Sequence, residues 1–113
     1  MNESLQEIHK MLLTQHTSLA RKLEDATDPD AARTILTEMQ ELLHRIDVLQ
    51  GLLFRETSQA LDKTLDNIND ANLKLARAVD SVEDLADFLK STSEFLKFVD
   101  QAIDIAKTLA VVA

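Results

Sequence analysis

Three histidines are the residues of this chain best suited to chemistry: His9, His16 and His44. An imidazole titrates near neutrality and, when neutral, ligates transition metals, so each is a candidate proton carrier or metal ligand. His44 has Glu41 three residues before it, which on a helix puts a carboxylate one turn away. A metal-binding or catalytic reading would use His9, His16, Glu41 and His44. His9 and His16 are seven residues apart, and two helical turns separate them by about 10 Å, too far to share one ion unaided. The chain has no Cys, which excludes a thiol nucleophile, a thiolate metal site and a disulfide framework. Its single Gly cannot build a phosphate-cradling loop, and nothing in the chain resembles a nucleophile with its base.

The tetrapeptide Glu41-Leu42-Leu43-His44 resembles the Glu-x-x-His element of di-iron helical bundles, which implies ligands projecting into a bundle core. Those bundles use a second such element, absent here, and inward carboxylates, whereas the inner helix faces of this chain are aliphatic. Glu41 and His44 fall between the core positions Met39, Leu42, Ile46 and Leu49, so both are expected on a solvated face. A histidine on an acidic bundle is also similar to the phosphotransfer modules of two-component signalling. That pattern places Lys and Gly shortly after the His. Here His16 is followed by Thr17-Ser18-Leu19-Ala20 and His44 by Arg45-Ile46-Asp47-Val48. The expectation is no catalytic residue, no metal site and no cofactor.

Two further polar features stand out. Asp66, Asp70, Asp80, Asp84 and Asp87 fall opposite the apolar stripe of a third helix, with the last three on consecutive turns. Such a ridge can attract a basic partner or hard cations, although most charge runs on helices are simply solvated. Asn72 sits at a core position, where a buried Asn fixes the register and oligomeric state of coiled coils.

These residues are carried by helices. With one Gly and one Pro in 113 residues, the chain lacks the turn residues a β fold of this size needs. It is 45% hydrophobic and 28% charged, the composition of one folded domain spanning residues 1–113. The four Phe are its only aromatics, and the net charge is −8. A polyanion or an anionic membrane surface would be repelled, and nucleobases would find few rings to stack on. No secretory signal opens the chain, and its longest apolar run, Leu109 to Ala113, is far below the ~20 residues of a membrane span. The cytoplasm is the expected location.

The apolar periodicity predicts an antiparallel helical bundle with coiled-coil-like packing. A first helix starts at a capping box, Ser4 with Glu7, and buries Leu5, Ile8, Leu12, Leu19 and Leu23. Asp28-Pro29 opens a second, along Ile35, Met39, Leu42, Ile46, Leu49 and Leu53, with Leu36 and Leu43 widening the stripe. Residues 55–58 are either a loop or the middle of one helix from 29 to 90. Leu61, Leu65, Ile68, Asn72, Leu75, Val79, Val82, Ala86 and Leu89 then alternate by four and three. Ser91 with Glu94 reads as a second capping box, which predicts a boundary at 90–92 and a fourth helix over 92–112.

That fourth helix has an apolar arc of about 200°, twice what a surface helix of a bundle needs. The surplus predicts a subunit interface built on Phe98, Ile105 and Val112, with Asn72 setting register. Function is accordingly expected to be protein interaction: a scaffold, adaptor or chaperone-like module, a homo-oligomer or a binder of another protein through an apolar helix face.

Overall fold

The computed structural model describes residues 2–111 and contains four helices: α1 (Glu3–Asp25), α2 (Pro29–Gln50), α3 (Gln59–Asp80) and α4 (Leu85–Lys107). They account for 82% of the described residues, with no strand among them. Each starts at a side-chain cap. Asn2 Oδ1 accepts from the Leu5 amide, Asp28 Oδ1 from Asp30, Ser58 Oγ from Leu61 and Asp84 Oδ1 from Asp87, satisfying amides that have no partner inside a helix. Pro29 occupies the first turn of α2, where its fixed φ and missing N–H cost nothing.

The chain folds as two antiparallel hairpins, α1–α2 and α3–α4, packed side by side. α1 lies against α3, α2 lies against α4, and the remaining pairs face each other across the diagonals. Neighbours across the seam run parallel: Ser4 bonds Asp62, Gln15 bonds Asn72 and Lys22 bonds the Asp80 carbonyl, so both helices advance together. Burial repeats at a spacing of 56 residues, with Leu5 matched by Leu61, Leu12 by Ile68, Leu19 by Leu75 and Ile46 by Ala102, all buried. The tight turn at 26–28 levels Leu5 with Leu49, Leu12 with Leu42 and Leu19 with Ile35, each pair fully buried. The core is thus a ladder of layers along a rod of 49 × 21 × 16 Å.

Several expectations need correction. The cap of α1 is Asn2, and Ser4 lies inside the helix, spending its hydroxyl on Asp62. The boundary expected at 90–92 is absent, because α4 runs unbroken from Leu85. Ser91 and Thr92 are buried, and Thr92 Oγ1 donates to the Phe88 carbonyl at 2.8 Å, so its hydroxyl is satisfied within the helix and caps nothing. The break comes at 81–84 instead, where Asp84 caps α4. It resets the helical phase: Phe88 and Phe95 enter the core, while Leu89 is 42% exposed. Of the other expected core residues, Met39, Leu65 and Val82 are half-buried against the core. Residues 51–58 form a real break, so the single helix over 29–90 is excluded.

Candidate functional site

The side-chain hydrogen bonds between distant parts of the chain fall on the two seams between the hairpins and at one pole. On the α2–α4 seam Arg45 is the hub. Its Nε and Nη2 donate to Asp100 Oδ1 and Oδ2 at 2.8 and 3.0 Å, and Nη1 donates to the Glu41 carboxylate and carbonyl at 2.8 and 2.9 Å. The Arg45 side chain is only 14% exposed, and a planar fork matched to a carboxylate is the strong form of such a pair. Burial alone would lower the guanidinium pKa; the hydrogen bonds to Asp100 and Glu41 outweigh it and leave the group raised. Burial also raises the neighbouring Glu38 carboxyl above its ordinary value, Glu41 adds to the rise, and Arg45 opposes it.

On the α1–α3 seam, Gln15 Nε2 donates to Asn72 Oδ1 at 2.8 Å. Asn72 therefore pairs within the chain, across two parallel helices. Gln15 is 2% exposed, and its Oε1, like His9 Nε2, is buried without a hydrogen bond. Below this pair, an open groove of about 800 Å³ runs beside Ser4, Gln59, Asp62 and Asp66. Asp62 Oδ1 accepts from both Ser4 and Thr57 there.

The pole where α1 begins is closed by the loop after α2. Asn2 donates through Nδ2 to the Arg55 and Glu56 carbonyls and through its amide to Leu53. Arg55 Nη1 reaches the Leu109 carbonyl at 2.8 Å, the Glu56 amide donates to Ala110, and Arg55 forms an isolated antiparallel bridge with Val111. The start of α1, the central loop and the segment after α4 are tied in one knot.

The metal-binding set is dispersed. His9 and His16 lie on α1, Glu41 is bonded to Arg45, and His44 is exposed on α2. Among the described residues no group of three or more His, Cys, Asp or Glu is placed to hold a metal ion. The acidic ridge is also divided, since Asp80 ends α3 and Asp84 caps α4. Phe98 and Ile105 are half-buried against the core, so much of the apolar surplus of α4 is spent inside the bundle; Val112 lies outside the described residues. No described helix is long and apolar enough to cross a membrane.

Large apolar side chains are exposed elsewhere. Leu36 and Leu43 on α2 and Leu13 on α1 are 44, 47 and 44% exposed. Leu36 is nine residues from Arg45, a half-turn round the helix, so it points away from α4; Leu13 is two residues from Gln15 and likewise points away from α3. All three lie on the outer face of the first hairpin. Leu36 and Leu43 were expected to widen the core stripe; the sequence pattern found them but could not tell an inner flank from an outer one. Comparison with protein-family models, curated proteins and solved structures finds no match in any of the three.

Proposed function

We propose that this chain is a small helical-bundle interaction module, a scaffold, adaptor or chaperone-like protein acting in the cytoplasm as a homodimer and not as an enzyme. The observation that carries this reading is the leucine face of the first hairpin, with Leu13, Leu36 and Leu43 each near half exposure. Complete burial of a leucine is worth about 1.5–3 kcal/mol, so covering three half-exposed ones favours association. A net charge of −8 argues for a protein partner over a polyanion.

Light scattering on the purified chain at rising micromolar concentration tests the reading, with the mass of a dimer expected. A monomer throughout would overturn it. The same preparation tests the metal alternative on His9, His16, Glu41 and His44: stoichiometric bound metal, or a melting temperature raised by zinc or manganese, would put that reading in its place.

A further inference from the structure

We infer that the occupant of the outer α2 ridge is the same ridge of a second copy, in an antiparallel two-fold pairing centred on Gln40; the inference rests on the homodimer reading above. Arg33, Leu36, Gln40, Leu43 and Asp47 follow one another by three, four, three and four residues, the spacing of a seam that faces another helix. All five are exposed. The residue types read alike from either end, charged, Leu, Gln, Leu, charged, with opposite charges at the two ends. Two copies run antiparallel therefore set Leu36 against the partner's Leu43, Gln40 against the partner's Gln40, and Arg33 against the partner's Asp47. A two-fold axis produces every such contact twice, which is the requirement of a self-complementary patch.

Charge favours this face over others. The chain carries −8, so two copies repel unless they meet where charge is balanced. Around the leucines stand Lys10, Arg21 and Glu24 on α1 with Asp30, Arg33 and Asp47 on α2, three cations and three anions, all exposed. Arg33 bonds Asp30 at 3.0 Å, but both side chains are more than three-quarters exposed (78 and 79%), and an exposed pair one turn apart is weak enough to be exchanged. Two helices of this length present a face of about 33 by 20 Å, so pairing covers roughly 1,300 Å² in total, within the range of specific interfaces. The second hairpin also exposes leucine, Leu73 on α3 at 60% and Leu89 on α4 at 42%, but its outer side differs: α3 presents Asn67 and Lys74 there, both exposed, and Phe98 and Ile105 of α4 are half-buried against the core. A two-fold pairing uses the same ridge on both copies, so the association closes at two.

The absence of Cys allows a clean test on the full chain. Under mild oxidation Gln40→Cys should give a disulfide-linked dimer, and Lys74→Cys, exposed on α3, should not. Leu36→Glu with Leu43→Glu should sediment as a monomer with unchanged helicity, since neither leucine is a core residue. Arg33→Asp alone and Asp47→Arg alone should each weaken the dimer about tenfold or more, and the double exchange should restore it, because the like charges created by either single change are cancelled by the other. A parent dimer that survives the double leucine change, or that cross-links equally through Lys74→Cys, would overturn this seam and leave the interaction reading standing. Higher oligomers would overturn the two-fold closure. A monomeric parent chain would remove both readings and leave the ridge to another protein's helix or to water.

Discussion

Arg45 shows how much of this fold depends on single side chains that join the hairpins. Its fork is the one ion pair between α2 and α4 among the described residues, and it is backed by Glu41 one turn earlier. Arg45→Met keeps the packing of the stem and removes the charge; because Asp100 is half exposed, the expected loss is about 1–2 kcal/mol in urea unfolding. Glu38 gives a pH signature. Its raised pKa means that the folded chain holds the proton more tightly than the unfolded chain, so Glu38 supports the fold below the ordinary carboxyl range and that support is lost as pH rises through the raised value. Glu38→Gln should therefore melt above the parent at neutral pH, and the gap should close as pH falls through about 4. The Gln15–Asn72 bond is a third case. Gln15→Leu alone strands a half-buried amide and should cost about 1–3 kcal/mol, whereas Gln15→Leu with Asn72→Leu should recover part of it; equal loss in both would show that the pair contributes nothing. Asn72 was legible as special because it interrupts an apolar series. Its partner was not, since Gln15 is 57 residues away and only the packing of α1 on α3 joins them.

At the scale of the element, the helices are written in the chain and their ends are decided by competition. Asp28-Pro29 is a boundary in both sequence and structure because proline cannot donate to a helix it follows. Ser91-x-x-Glu94 has the form of a boundary and is none, since the phenylalanines on either side gain more from the core than a cap would supply. The acidic residues that suggested a ridge supply the real boundary instead. Asp84→Ala should lower stability by about 1 kcal/mol, the worth of an N-cap, while Ser91→Ala should cost less; thermal unfolding with the ranking reversed would mean that α4 starts later. In the core, Leu42→Ala and Leu75→Ala each remove a fully buried side chain and should cost about 2–5 kcal/mol.

For the whole molecule the decisive fact is that like-directed helices are neighbours. Paired cysteines placed at Ser4 and Asp62, and in a second variant at Lys22 and Asp80, should each be joined by a short bifunctional reagent, since both pairs are in contact. If only one pair joins, α1 and α3 cross instead of running together. The knot at the pole makes the ends of the fold interdependent: Asn2 caps α1 and holds the central loop in the same side chain. Asn2→Ala should therefore expose residues 51–58 to protease as well as fraying α1, with cleavage mapped by mass spectrometry.

Taken by itself, the sequence determined the class of fold, the presence of helices over almost the whole chain and most of the residues that line the core. Those follow from local spacing, because a helix repeats every 3.6 residues whatever it later packs against. The tertiary structure alone decided which flank of each apolar stripe faces inward, which helices are neighbours, and which polar groups are paired. Leu36 and Leu42 are equally apolar and close in sequence, yet one is exposed and the other buried. Local spacing gives the angle between them; only the position of the second hairpin says which of those angles is inside.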